Sequence, residues 1–287
     1  MTTNKTIFVT GATGNQGGAV ARSLTQQGFA VKALTRNSKS SKAQALQKQN
    51  IHLVEGDLNN AETYREHLKD VYGIFSVQSA EHGVEKEITQ GITLANVAKE
   101  YEVKHFVYSS VFGADLNTGI PHWESKFKIE NHIKRLDLPY TIIRPASLFE
   151  NFLLPQVKSR ILKGKLSSPV NKDVVQQFIS SKDIGNIGAA IFLNPAEYVR
   201  RTILIATEQM DMQQVAILFS EVLGREIKYQ KLPMFITRLV MGKDLYKMFT
   251  WINEKNMSAK ENVESTRKEF KDFLNLESWI KNKFSGK

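Results

Sequence analysis

Cysteine is absent from the 287 residues, which excludes disulfides, thiolate nucleophiles and thiolate metal ligands while leaving the redox compartment open. Missing too is any run of about eighteen apolar residues, the length that spans a bilayer. The chain enters a strand-like segment by Lys5 without the basic, apolar, small-residue order of a signal peptide. These absences predict a cytoplasmic protein with no membrane partner. A composition of 41% hydrophobic and 24% charged residues is that of an ordinary globular chain able to bury a sizeable core.

A third scarcity is local. Residues 1–54 carry seven basic side chains and no acidic one, residues 55–242 carry 22 of each sign, and residues 243–287 carry ten basic against seven acidic. Most of the formal net charge of +10 therefore sits in the first segment. Charge gathered there suits a small polyanionic ligand, and no helix-turn-helix, zinc or aromatic-basic module accompanies it, so nucleic acid is not expected as a partner. The C-terminal excess is of mixed sign and reads as a solvated helix surface.

What is present is alternation. Strand-length apolar runs, "TIFVT", "AVKALT", "IHLVEG", "YGIFSV", "HFVYSS" and "YTIIRP", alternate with stretches whose apolar positions recur every three or four residues. Six such repeats predict parallel strands joined by right-handed crossovers: an α/β fold with a doubly wound Rossmann sheet over residues 1–150. From 151 to 287 the alternation loosens. "FISSKDIGNIGAAIFL", "TILIAT" and "MQQVAILFSEVLG" predict a smaller C-terminal α/β lobe interleaved with the first domain.

The stretch "TGATGNQGG" follows the first predicted strand and opens an amphipathic helix. In that context Gly11 and Gly14 permit a tight turn and close approach to a pyrophosphate, Gly17 permits close helix packing, and the helix N-terminus offers free N–H groups. The second strand ends in "ALTRNSKSSK", placing Arg36, then Lys39 and Lys42, where a carboxylate would accept the ribose hydroxyls of NAD. A carboxylate about 4 Å from a phosphate repels it by roughly 4 kcal/mol at an effective dielectric near 20, whereas a guanidinium attracts it. The expected cofactor is NADP(H). Asp57, in "EGDLNN", either reaches the adenine edge or caps the next helix.

"TGATGNQGG", "ALTRN", "EGDL", "FVYSSV", "HWESKFKIE", "YTIIRPASLFEN" and "SSKDIG", in this order over about residues 5–230, resemble the NmrA-like family of atypical short-chain dehydrogenase/reductases. The resemblance implies an NADP-binding Rossmann domain with a small C-terminal lobe and substrate in the cleft. By position it places cofactor contacts on Gly11, Thr13, Gly14, Asn15, Gln16, Gly17, Arg36, Asp57, Leu58, Gln78, Lys126, Phe149 and Asn151.

Short-chain dehydrogenases use a tyrosine four residues before a lysine on one helix, the lysine holding the nicotinamide ribose and lowering the tyrosine pKa. In "IPHWESKFKIE" the lysine is Lys126, but the position four before it is His122. The tyrosine mechanism is therefore closed to this chain. Lys126 and His122 are the candidate catalytic residues, His122 as a neutral imidazole near a helix N-terminus that polarises a substrate, or else a packing or capping residue. Ser109 and Ser110 end the fifth predicted strand at the cofactor edge, where a hydroxyl either orients a substrate or serves ordinary strand-end turn chemistry; Arg144 reads as structural, and Trp123, Phe127 and Ile129 as core. His52, His67, His82, His105 and His132 show no metal-ligand spacing. Two functions are consistent with these residues: an NADPH-dependent reductase of a small carbonyl or quinone-like substrate, or a non-catalytic NADP(H) redox sensor read by a regulated partner protein.

Overall fold

The computed structural model describes residues 5–255 and 260–284. Along the chain, β1 (Thr6–Val9) leads into α1 (Asn15–Gln26), β2 (Ala30–Thr35) into α2 (Ser41–Gln47), and β3 (His52–Glu55) into two 3-10 turns, Ala61–Thr63 and Arg65–Leu68. There follow β4 (Gly73–Ser76), α3 (Val84–Glu100), β5 (His105–Ser109), α4 (Pro121–Arg135), β6 (Tyr140–Pro145) and β7 (Ser147–Leu148). Next come α5 (Pro155–Ile161), β8 (Lys165–Ser168), β9 (Val175–Ile179), α6 (Ser181–Leu193), α7 (Pro195–Tyr198) and β10 (Arg201–Ile205). The chain ends with β11 (Glu208–Asp211), α8 (Met212–Leu223), β12 (Lys228–Lys231), α9 (Met234–Lys255), α10 (Lys260–Glu269) and α11 (Leu276–Phe284).

Seven strands form one sheet in the order β10-β6-β5-β4-β1-β2-β3. β1 pairs in parallel with β2 (Ile7 opposite Val31) and with β4 (Ile7 opposite Gly73), so the order reverses between β1 and β4. That reversal is the topological switch point, where the strand ends of a doubly wound sheet open a crevice for ligands. β10 runs the same way as β6: Arg200 N donates to Tyr140 O at 2.6 Å, and Ala146 N to Ile205 O at 3.0 Å.

Two compact units make up the chain, one of residues 1–117, 121–144 and 181–203, the other of residues 118–120, 145–180 and 204–287. In the first, alternate strand residues serve opposite faces of the sheet. Phe8, Ile74, Phe106 and Ile142 join Leu94, Ala95, Ala98, Ile129 and Ile133 of α3 and α4 in one buried cluster. Phe75 faces the other way, toward α6 at Gly188, which also meets Val20 of α1. The segment 181–203, read from sequence as part of the smaller lobe, thus belongs with the Rossmann sheet: α6 lies so close on α1 that a Cβ at Gly185 would come 2.7 Å from Ala19 O. The sequence also promised a helix in every crossover. Between β3 and β4 there are only 3-10 turns, because Asp57 and Asn60 accept backbone N–H groups two residues ahead and hold the chain in tight local turns.

The second unit has its own core, in which Phe149, Phe152, Phe178, Phe219, Trp279 and Phe284 meet Val215 and Ile280. It holds the three strands β11-β9-β7 and the pair β12-β8. A capping box, Asp211 with Gln214, starts α8, and α9 is interrupted at Gly242, whose φ is 83°. Among the described residues no helix is long and apolar enough to cross a membrane.

One buried group in the first unit ties stability to pH. Thr141 uses its hydroxyl proton on Tyr198 O at 2.8 Å, so His105 Nε2, 2.8 Å from Thr141 Oγ1, is the donor and His105 Nδ1 is left buried without a partner. Burial, with a smaller contribution from Lys5, pushes the His105 pKa down to about 4. An unfolded chain takes up a proton at an ordinary histidine pKa of about 6.5 that the folded state refuses, so the contribution is intact above that value and is lost as pH falls toward the folded one. Urea unfolding at pH 7.5 and pH 5 is expected to show wild type losing about 2 kcal/mol more than His105→Gln.

Candidate functional site

The loop leaving β1 is shaped by what its glycines lack. Gly11 has φ 59°, a conformation that side chains resist, and Gly14 N closes a turn onto Gly11 O at 2.9 Å. Gly17 lies one turn later, inside α1, where a Cβ would stand 2.4 Å from Thr10 O and 2.5 Å from Gly11 O. The helix is therefore pressed directly onto the end of β1. Gly14 caps α1 with no side-chain hydrogen bond, and no acidic residue occupies the first turn. The first N–H groups of α1 and the positive end of its dipole are left for an external anion. Thr10 anchors the arrangement from the sheet side: its Oγ1 donates to Val77 O at 3.1 Å and accepts from Val77 N at 2.9 Å.

Around this loop, Thr13 is half-buried, Asn15 is exposed, and Gln16 is half-buried with its Oε1 accepting from Ser109 Oγ at 2.6 Å. Ser109 thus fixes a side chain of α1.

At the end of β2, Arg36 is exposed and forms no ion pair among the described residues. The loop behind it is tightly knit: Asn37 Oδ1 accepts from Lys39 N at 2.9 Å, Ser40 Oγ accepts from Ala43 N to cap α2, and Gln44 Nε2 donates to Ser38 O at 2.8 Å. Distance along the chain had hidden one neighbour. Glu55 ends β3 opposite Thr35, and its carboxylate accepts from both the backbone N–H and the hydroxyl of Ser38. Those bonds, followed by the nearby Lys39 charge, outweigh partial desolvation and hold the Glu55 pKa below the usual carboxylate range. The basic loop therefore has a carboxylate beside it, but one occupied by Ser38. Asp57, half-buried, accepts from Asn59 N at 3.0 Å in a local turn; it does not cap the next helix, which Asn60 caps by accepting from Glu62 N, and Leu58 packs on the core of the unit.

The lysine of "HWESKFKIE" meets a partner that sequence reasoning missed. Lys126 Nζ lies 2.7 Å from Oε1 of Glu87, a carboxylate on α3 with no solvent exposure, and also donates to Gln78 O at 3.3 Å. Ser125 donates its hydroxyl to the other Glu87 oxygen. A signal for Glu87 did exist: it falls in phase with the buried positions Gly91, Leu94, Ala95 and Ala98, so an acid stands on an apolar stripe. Gln78 is 6% exposed; its Nε2 donates to Ser76 Oγ at 2.9 Å, while its Oε1 is buried with no hydrogen-bond partner. His122 is half-buried in the first turn of α4, its ring edge-on to Trp123.

A second buried charge cluster secures the other end of α4. Arg144 grips Glu130 with two bonds, 2.9 Å and 2.6 Å, and reaches Asp115 at 2.5 Å, while Ser110 Oγ donates to Glu130 Oε1 at 2.5 Å. Arg144 is structural, as its sequence context suggested. Trp123 and Ile129 are buried core and Phe127 is half-buried. In the second unit Phe149 is fully buried, its ring lying against Phe178 and Trp279, so the structure leaves no part of it exposed to a ligand. Asn151 donates from Nδ2 to Ser147 Oγ at 3.2 Å. Among the described residues no cluster of three or more histidine, aspartate or glutamate side chains is placed to hold a metal ion.

Known proteins share this chain's family and fold. A profile of the NmrA-like family matches residues 3–280. The chain belongs to the NmrA-like family. The NmrA-like oxidoreductase malD of Malbranchea aurantiaca is 31% identical over 263 residues, covering 82% of this chain and 78% of its own. Among solved structures, NmrA, a negative transcriptional regulator in complex with NADP, superposes with a TM-score of 0.81 at 22% identity, over 98% of this chain and 95% of its own. An NADPH-dependent quinone oxidoreductase of Escherichia coli complexed with NADPH gives 0.80 at 21% identity, over 97% and 99%.

The NmrA-like loop makes a graded prediction. Gly17→Ala forces a Cβ onto two carbonyl oxygens and is expected to cost about 1–3 kcal/mol of stability or more. Gly14→Ala meets only Gly11 O at 3.2 Å and is expected to cost less than about 1 kcal/mol, both read by urea denaturation.

Proposed function

We propose that this NmrA-like chain binds NADP(H) at the strand ends of its seven-stranded sheet and reduces a small carbonyl or quinone-like acceptor. The observation that carries the reading is the cradle between Gly11 and Gly17, where helix backbone meets strand end with no room for a side chain. The chemistry of the residues fits the cofactor at two further points: Arg36 offers an uncommitted guanidinium, and Gln78 Oε1 is a buried acceptor awaiting a donor.

In this reading the N–H groups of the loop and of the first turn of α1 that are not used in the Gly11–Gly14 turn, with the side chains of Thr13, Asn15 and Gln16, take the pyrophosphate. Arg36, supported by Lys39, takes the 2′-phosphate. Asp57 and Leu58 border the adenine, and Gln78 with Lys126 holds the nicotinamide ribose. When bound, NADPH supplies the hydride. In this reading His122, one turn before Lys126, gives a proton or hydrogen bond to a substrate oxygen. The names of malD and of the Escherichia coli quinone oxidoreductase support reduction.

A second reading rests on a specific observation. Position 122 is histidine, and Lys126 is engaged by a buried carboxylate, so the usual tyrosine–lysine acid is lacking. That favours an NADP(H) sensor whose occupancy a partner protein reads, with coupling of about 1–3 kcal/mol. The negative regulator NmrA, solved with NADP, supports it.

Calorimetric titration with NADPH and NADH, followed by NADPH oxidation with quinones and small carbonyls, separates the two. Tight NADPH binding with turnover is expected of the reductase, and tight binding without turnover of the sensor; no NADPH binding overturns both. Arg36→Ala is expected to weaken NADPH about ten-fold or more and NADH little, a difference of about 1.4 kcal/mol. Equal losses would remove Arg36 from the selection of NADP(H).

A further inference from the structure

Glu87 is costly where it stands. Its side chain has no solvent exposure, and an ionised carboxylate out of water is tolerated only when charge and hydrogen bonds answer it. Both answers come from consecutive residues of α4: Lys126 Nζ at Oε1 and the Ser125 hydroxyl at Oε2. Lys126, with its side chain 13% exposed, adds a bond to Gln78 O, on the loop that follows β4. Three segments of the first unit, α3, α4 and the end of β4, are thus tied through one ammonium group. An ammonium has three N–H donors. Among the described residues two are used and one is left. On the same loop, Gln78 Oε1 is an acceptor with no donor among the described residues. A donor and an acceptor left over together match a sugar hydroxyl, which both accepts and donates, and they match a phosphate poorly, because Glu87 already neutralises the lysine.

We propose that Glu87 is the positioning residue of the nicotinamide-ribose end of the site: it fixes Lys126 and cancels its charge, so that Lys126 and Gln78 bind a neutral hydroxyl pair. This rests on the NADP(H) reading above and assigns Lys126 to binding, leaving proton delivery to His122 or water. Glu87 itself touches no ligand and acts through Lys126.

The test compares two ligands that share one end. NADPH carries the nicotinamide ribose; 2′,5′-ADP retains the adenosine with its 2′-phosphate and a single 5′-phosphate and lacks the nicotinamide ribose. Calorimetric titrations of both are run on wild type, Glu87→Gln, Glu87→Asp, Lys126→Met and the double variant Glu87→Gln/Lys126→Met. Glu87→Gln is expected to weaken NADPH about ten-fold or more, the scale of a charged hydrogen bond, and to leave 2′,5′-ADP unchanged. In the Lys126→Met background the same glutamine substitution is expected to have no further effect on NADPH. Glu87→Asp retains the charge but draws it back by one methylene, and an intermediate loss confined to NADPH is expected. It carries the test if Glu87→Gln does not fold.

Equal affinity of wild type and variants for NADPH overturns the proposal, as does an equal loss for both ligands, which would make Glu87 merely structural. Failure of both Glu87 variants to fold, as read by circular dichroism, also overturns it by assigning the carboxylate to stability. Wild type that binds neither ligand overturns instead the NADP(H) reading on which the proposal stands.

Discussion

The contact between α1 and the end of β1 leaves no volume for a side chain at Gly17, and the rest of the first unit is arranged around that closeness. Because the helix begins against the strand, its first N–H groups open at the switch point between β1 and β4 and not out over solvent. The same economy of volume continues across α1 to α6, where Gly185 faces the Ala19 carbonyl and Ser23 bonds Asn186 at 3.1 Å. Glycines inside helices cost roughly 1 kcal/mol each relative to alanine. Here they exchange helix propensity for backbone-to-backbone packing that no larger residue could make. The anion-binding geometry and the covering of one sheet face therefore have one cause.

On the opposite face, α4 is held by charge. Lys126 meets Glu87 of α3, and one turn later Glu130 meets Arg144 of β6. Stability alone is a weak reason for such pairs, since well-packed apolar residues of similar volume often serve as well. What the pairs impose is orientation: rotating α4 would strand two carboxylates, a lysine and an arginine in low dielectric. Burial also pushes the Tyr108 pKa well up, helped by the negative charges of Glu87 and Glu130, so this phenol stays protonated beside them. The helix that carries His122 and Lys126 is in this way set to one rotation.

The parallel sheet was legible because both of its faces are buried and its strands are continuous apolar runs, and the glycine loop because turn geometry leaves its mark locally. What escaped was long-range. The stretch "SKDIGNIGAAIFL" has the pattern of any apolar helix, and only the match of its glycines to those of α1 places it on the sheet. "TILIAT" supplies a seventh strand that chain order assigned elsewhere. Glu55 stands 17 residues from Ser38 in sequence and in hydrogen-bond contact with it in space, so a carboxylate absent from the basic segment is present beside its loop. Glu87 was marked by its place on an apolar stripe, but its partner Lys126 lies 39 residues away. Local chemistry writes itself into spacing; pairings between crossovers do not.

The two cations of the proposed site are treated in opposite ways, and the difference matches the group each would meet. Arg36 is exposed at the end of β2, and Glu55, a carboxylate beside its loop, is occupied by Ser38. Its positive charge therefore remains available to a dianionic phosphate, whose own hydration favours a wet site. Lys126 is nearly buried and its charge is cancelled by Glu87. A bare ammonium there would seek a second anion; a compensated one can only donate a hydrogen bond. A dinucleotide with a phosphate on its adenosine ribose and free hydroxyls on its nicotinamide ribose presents this same asymmetry, charge at one end and neutral polarity at the other. A site built for two phosphates would have left both cations unpaired.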